Sequence, residues 1–354
     1  MNYNYSNNGS SAYTPFSPFS WFNSDLTIIA MVLSFFSITL NVIIFHKICT
    51  QKYLQIPLNR LIANLALADI IHVVTYSVVA TFPLILKTYP QLFGKITPNI
   101  ANIVCNSLFY IYVASITTST FTLLIIGAER YRAIIHPLKR AYTGKQMNRI
   151  LMAIWIISLS STLLIVILRI YDRNSIVNCT SSLSPYGSFY NAISFTIYAV
   201  ATFGIPIIII ITLYACVIAR LWHHDPPMAD SEYKAEVKKS RRKKNQAIMA
   251  LLIITILSAA SYFPFMAIHI GIAFLKHSTG NAVRRLPEIF WIFYRLSALL
   301  MLIPTILNPM LYNYASSEIR REMRAFITNL FRTPGRRLRV HSKDTSHTTP
   351  IIRK

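Results

Sequence analysis

The stretch Leu61-Ile-Ala-Asn-Leu-Ala-Leu-Ala-Asp-Ile-Ile-His-Val-Val74 sets one carboxylate, Asp69, in the middle of an apolar run. A helix needs about 20 residues at 1.5 Å each to cross a ~30 Å hydrocarbon core, and the run belongs to such a segment, Leu58–Leu86. Six more qualify: Leu26–Ile48, Ile103–Ile126, Ile150–Ile170, Tyr190–Ala219, Ala247–Leu275 and Pro287–Tyr312. The whole chain agrees with them. Of its 354 residues 54% are hydrophobic and 13% charged, with a mean hydropathy of +0.45, whereas soluble domains carry about 25% charged residues. Such a composition cannot coat a globule with polar surface, so the apolar excess must face lipid. The expected fold is an all-α membrane protein, a seven-transmembrane helix bundle.

The net charge of +23 does not indicate nucleic acid. The basic residues lie between apolar runs, no zinc, RRM or helix-turn-helix signature accompanies them, and juxtamembrane clusters account for the charge. Eight of the 35 Lys and Arg (Lys87, Lys95, Arg169, Arg173, Lys276, Arg284, Arg285, Arg295) fall on one face of the seven-span layout, which leaves 27 on the other. The positive-inside rule makes the richer face cytosolic. Glycosylation sequons at Asn4 and Asn8 agree, as do Cys105 and Cys179 on the poorer face. The N-terminus is therefore expected outside.

Four segments follow: an extracellular tail over 1–25, the bundle over 26–312, a juxtamembrane helix over 313–331 and a cytosolic tail over 332–354. No apolar core marks 1–25 as a cleavable signal. Cys49 and Cys216 fall near the cytosolic ends of their spans, so Cys105 and Cys179 are the plausible disulfide, with two unpaired thiols as the alternative. In the juxtamembrane helix Ile319, Met323, Phe326, Ile327 and Leu330 share one face, with Arg320, Arg321 and Arg324 around the other, a pattern for lying on the bilayer surface.

Polar groups inside the spans carry the functional signal, because an ionisable residue in a membrane helix needs compensation. Asn41, Ser115, Ser119 and Asn308 could supply it for Asp69, either around a small hard cation such as Na⁺ or as a hydrogen-bonded cluster with no ion. Glu129-Arg130-Tyr131 closes the third span, about 25 residues and so about 37 Å from Cys105. The planar, always charged fork of Arg130 suits a switchable partner. Asn308-Pro309-Met310-Leu311-Tyr312 ends the seventh span, where Pro309 frees a carbonyl for Asn308 or water. Pro206 and Pro264 do the same in spans five and six.

Asn41, Asp69, Arg130, Trp155, Pro206, Pro264 and Pro309, one per span in order, resemble the landmarks of the rhodopsin-like (class A) G-protein-coupled receptors, most of all their neuropeptide branch. The resemblance covers nearly all of residues 26–331. It implies an extracellular or intramembrane ligand pocket, outward movement of span six, and a cytosolic cleft for a heterotrimeric G protein. Glu129, Arg130 and Tyr131 would govern activation. Leu138 would insert against the G protein, while Tyr214 and Tyr312 would bridge near Arg130 and Asn308-Pro309 would shape span seven. Arrestin could bind a tail phosphorylated at Ser342, Thr345, Ser346, Thr348 or Thr349.

Several positions depart from that pattern. Tyr262 and Ser258 replace the usual span-six Trp and Phe, Thr120 interrupts the span-three packing position, and Lys244 stands where some relatives have an acid that pairs with Arg130. Tyr112 occupies the place of the Asp that amine receptors use, which disfavours monoamines. No Lys lies in span seven, which excludes an opsin.

The pocket implied by the resemblance is lined on span three by Phe109, Tyr112, Val113 and Ile116. Spans six and seven add Tyr262, Phe265, Met266, His269, Tyr294, Arg295 and Ala298. A peptide ligand is expected, with a small anionic or lipid ligand as the alternative, and Arg295 is placed to meet a ligand carboxylate. An enzyme is not indicated, since HExxH, GxSxG and P-loop motifs are missing. A transporter would show duplicated halves, which the chain lacks.

Overall fold

The computed structural model describes residues 24–88, 91, 98–167, 170–171, 181–182, 188–223, 231–279, 288–315 and 317–330. Ten α-helices follow one another: α1 Ser24–Thr50, α2 Pro57–Thr88, α3 Pro98–Ile135, α4 Gly144–Ile167, α5 Ser188–Ala199, α6 Ile205–His223, α7 Ser231–Thr279, α8 Glu288–Leu300, α9 Leu302–Ala315 and α10 Ser317–Leu330. Among the described residues seven helical runs are long and apolar enough to cross a membrane. In hydrocarbon no water satisfies the backbone, so each crossing keeps its N–H and C=O groups within a helix.

The helices overrun the apolar segments. Helix α3 carries on past Arg130, and α7 starts at Ser231 and takes the Lys238–Lys244 cluster with it. One short ladder departs from the all-α expectation: β1 Ile170–Tyr171 pairs antiparallel with β2 Ser181–Ser182 between spans four and five.

Proline explains where spans five and seven are irregular. Pro206 has no N–H for the carbonyl of Thr202, and a π-helical turn, Val200–Gly204, joins α5 to α6 at that point. Pro304 likewise offers nothing to the carbonyl of Leu300, and the seventh span breaks at Met301 between α8 and α9. Pro304 gives a readable signal for that break beside the expected Pro309.

Helix α1 packs on α2, α2 on α3, α3 on α4 and α6, α5 on α7, α7 on α9, and α9 back on α1, which closes the ring. Spans two and three are the most enclosed, 61% of their central window being buried, against 22% for span four. Two apolar clusters fill the interior. One, around Leu61, Ile126, Tyr214, Leu251 and Met323, occupies the end that carries Arg130. The other, around Val73, Tyr112, Ile116, Tyr262, Phe265 and Tyr294, occupies the end that carries Cys105.

Helix α10 docks by Ile319 and Met323, both buried. At its edge Tyr53, just beyond α1, donates its hydroxyl to Glu322, Lys47 Nζ lies 3.3 Å from Glu322 Oε2, and Arg321 stands 5.3 Å over the Tyr53 ring. The Tyr53 hydrogen bond, with Lys47, holds the Glu322 carboxyl below its usual value of 4.5. A lowered carboxylate pKa stabilises docking above the usual range and the contribution is lost as pH falls through the lowered value. An environment-sensitive fluorophore on α10 should therefore report a constant docked signal from neutrality to about pH 5 and a loss in more acidic buffer. Glu322→Gln should remove that acid-dependent step.

Candidate functional site

The centre of the bundle is built around Asp69, 1% exposed on α2. Ser119 on α3 donates to Asp69 Oδ1 at 3.2 Å and Asn308 Nδ2 on α9 donates to Oδ2 at 2.8 Å. Three spans thus meet at one carboxylate. The two other expected partners do not contact it by hydrogen bond. Ser115, although buried, gives its hydroxyl to the carbonyl of Tyr112 at 2.7 Å. Asn41 donates instead to the carbonyls of Ser37 at 2.9 Å and Thr305 at 2.8 Å.

That second bond corrects the expectation for Pro309. The carbonyl that Pro309 leaves without a donor is that of Thr305, four residues earlier, and its partner is Asn41 of α1 rather than Asn308. Ser37 Oγ reinforces the joint by donating to Thr305 Oγ1 at 2.8 Å. A second hub, which the sequence analysis missed, is Asn64. Its Nδ2 donates to Thr122 Oγ1 at 2.8 Å and its Oδ1 accepts from Trp155 Nε1 at 2.9 Å, joining spans two, three and four. A third is the Tyr198 hydroxyl, 2.6 Å from Thr117 Oγ1 and 3.2 Å from Thr162 Oγ1.

At the Cys105 end the expected pocket residues converge. Tyr112, Val113, Ile116, Tyr262, Phe265, Met266, Tyr294 and Ala298 belong to one buried cluster, with Phe109 packed against it. His269 lies among them, its ring centroid 4.1 Å from Phe265 and 5.1 Å from Tyr294. Its Nδ1 is 2.9 Å from the Phe265 carbonyl and its Nε2 is 2.9 Å from the Tyr294 hydroxyl. A carbonyl only accepts, so in the neutral ring Nδ1 carries the proton and Nε2 accepts from Tyr294.

Residues not foreseen also line this region. Phe195 reaches within 5.9 Å of His269, Phe203 packs edge-on to Tyr262 at 6.1 Å, and His72 lies 5.1 Å from Tyr112. Tyr112 also directs its hydroxyl to Met301 Sδ at 3.6 Å. His72 was open to inference, since it follows Asp69 by three residues and so shares its helix face. The side chains of Arg295 and Tyr312 lie outside the described residues, as do Lys244, Asn4, Asn8 and Cys179. Cys105 is buried and disulfide-bonded.

At the opposite end Arg130 is half-buried and pairs with its neighbour Glu129, with Nη2 2.6 Å and Nε 2.7 Å from Oε2. Tyr214 is buried against Gly127, one turn before Arg130: a Cβ on Gly127 would stand 3.7 Å from its ring. Tyr131 meets His136 edge-on at 5.9 Å. Leu138, in the turn after α3, is 99% exposed.

Seven candidate membrane spans thus surround a polar centre, with two differently built ends. The chain belongs to the 7 transmembrane receptor (rhodopsin family), whose sequence pattern matches residues 40–312. It is 26% identical over 341 residues to the Tachykinin-like peptides receptor 86C of Drosophila melanogaster, covering 91% of this chain and 64% of that relative. To the Neuropeptide Y receptor type 2 of Homo sapiens it is 26% identical over 336 residues, or 89% of this chain and 79% of the relative. To the Allatostatin-A receptor of Bombyx mori it is 23% identical over 288 residues, or 79% and 73%.

Removing the Asn41 amide leaves the Thr305 carbonyl without a donor inside hydrocarbon, at a cost of about 1–3 kcal/mol. Asn41→Ala should lower the thermal midpoint of the detergent-solubilised protein. Ser34→Ala, which deletes a buried hydroxyl of the same helix that has no hydrogen-bond partner, should lower it far less.

Proposed function

We propose that the chain is a plasma-membrane receptor, N-terminus outside, that binds an extracellular peptide and activates a heterotrimeric G protein. One observation carries this reading: a single bundle joins an aromatic cluster with a few polar tips, at the Cys105 end, to an exposed apolar residue and a paired arginine at the other. The cluster has the make-up of a ligand site, apolar walls with a small number of placed polar groups. Matches to peptide receptors support a peptide as the ligand.

On the inner side, Arg130 must leave Glu129 to serve a partner, and Leu138 needs no rearrangement to be reached. Outer Lys and Arg favour a ligand with an acidic group, for which Arg295 is the proposed contact. The Cys105 disulfide would run to Cys179 and restrain the outer loop above the pocket.

Asp69 also fits a sodium ion. It is held by Ser119 and Asn308, and the Oδ1 of Asn308 is buried with no hydrogen-bond partner, an oxygen that a hard cation would satisfy; Ser115, one turn from Ser119, is the further oxygen proposed. Sodium bound there would neutralise the carboxylate and hold spans two, three and seven together. Sodium chloride should raise the thermal midpoint of the wild type relative to choline chloride. Asp69→Asn should abolish that difference, and an equal response of both proteins would exclude the site.

Coupling is tested by screening a peptide library on cells that co-express a promiscuous G-protein α subunit with a calcium readout. Peptide responses are expected from the wild type, a loss of at least ten-fold in efficacy from Leu138→Asp, and near silence from Arg130→Ala at equal surface expression. Responses that persist undiminished in Arg130→Ala would sink the assignment of that end.

A further inference from the structure

His72 of α2 is 1% exposed, and its Nε2 is buried with no hydrogen-bond partner. It stands against the aromatic cluster at the Cys105 end, to which the next residue, Val73, belongs. A ring nitrogen of imidazole is a full hydrogen-bonding group, and leaving one unmet inside the protein is unfavourable. The ring lies 5.1 Å from that of Tyr112 on α3, tilted by 55°. Yet the Tyr112 hydroxyl goes to Met301 Sδ at 3.6 Å, and a thioether is a weak acceptor. A strong partner thus stands empty beside a phenol that is spent on a poor one.

These three residues repeat, farther out, the meeting of spans that Asp69 makes. His72 follows Asp69 by three residues, Tyr112 precedes Ser119 by seven and Met301 precedes Asn308 by seven. Each therefore lies one or two turns toward the Cys105 end, at a spacing that keeps it on the same face of its span. Around Asp69 both carboxylate oxygens are used, and α2, α3 and α9 are joined at once. Tyr112 has one proton to give, so as a donor it serves span two or span seven. Met301 is fully buried and is the residue at which span seven breaks, between α8 and α9. A hold on Met301 is a hold on that joint.

We propose that His72 is a positioning residue that acts through Tyr112, whose hydroxyl has two stations. At Met301 Sδ it fastens span three to the break in span seven. At His72 Nε2 it fastens span three to span two and lets the break go. The two rings already stand side by side, so the passage is a change of side-chain rotamer. With Nε2 receiving, the imidazole carries its proton on Nδ1. Packing as described favours the first station and hydrogen-bond strength the second, which keeps both within reach of a modest bias. Tyr112 also walls the proposed ligand site, so a ligand that presses on its ring drives the hydroxyl toward His72 and loosens span seven. That last link rests on the receptor reading; the two stations do not.

The latch is tested on the full chain in detergent micelles by amide hydrogen exchange, read by mass spectrometry over residues 297–305. Met301→Leu keeps the volume but removes the acceptor, and should speed exchange about three-fold, the scale of one net hydrogen bond. His72→Leu removes the other station and should slow exchange by a similar factor. His72→Gln, which keeps an amide near the Nε2 position, should restore the wild-type rate. In a Tyr112→Phe background neither Met301→Leu nor His72→Leu should alter exchange further, because the hydroxyl on which both act is gone. A merely structural histidine would behave differently: its loss would speed exchange, and would do so with or without the hydroxyl. That pattern, or no effect of His72→Leu, overturns the latch.

In cells, at equal surface expression, Met301→Leu should raise ligand-free signalling and His72→Leu should lower ligand efficacy. Signalling unmoved by either, with the exchange pattern as expected, would refute the link to the ligand and leave the two stations standing.

Discussion

Inside a bilayer a polar group that is not paired within the protein is not paired at all, and this bundle is arranged around that constraint. Asp69 gathers Ser119 and Asn308, Asn64 gathers Thr122 and Trp155, and Asn41 covers the carbonyl that Pro309 exposes. Lipid tails are as apolar as leucine, so apolar burial alone does not favour one helix pairing over another. Hydrogen bonds between spans do, because each is satisfied in one arrangement. These three groups tie α1 to α9, α2 to α3 and α4, and α2 to α9, and the Tyr198 hydroxyl adds α5 to α3 and α4, which leaves little freedom in how the central helices are set.

The same constraint separates the two ends. Aromatic rings and a histidine with both nitrogens engaged fill the Cys105 end, where polar tips suit a ligand that brings its own partners. Charge dominates the Arg130 end, where Glu129 and Arg130 satisfy one another from adjacent positions on one helix. The pair lies between neighbours on one helix, and among the described residues it takes no carboxylate from another span.

Much of the fold was legible in the chain because span length and polar interruptions are local properties. Seven apolar runs and the positions of Asp69 and Pro309 follow from one-dimensional spacing, whereas the gathering of Tyr112, Phe265 and Tyr294 was what the family resemblance implied. Partner choice does not. Asn41 was a candidate for Asp69 and instead caps Thr305, because which of two amide-bearing helices faces a freed carbonyl depends on helix rotation, which no spacing records. The π turn before Pro206 and the break at Met301 were readable in kind, since each proline removes a known hydrogen bond. The form each took depends on the neighbours. Phe195 and Phe203 were missed because an aromatic residue in an apolar run carries no mark that separates a pocket wall from a lipid-facing side chain.

The length of α7 has a mechanical consequence. It runs unbroken from Ser231 to Thr279 with Pro264 within it, so the arm on the basic side of the proline is about 33 residues or roughly 50 Å long. A hinge of about 10° at that point, well within what proline permits, would sweep the far tip by roughly 9 Å. Side-chain adjustments of an ångström or so around Tyr262 and Phe265 would thus be geared up into a displacement the width of a helix, with the proline as fulcrum and the bilayer as its mounting.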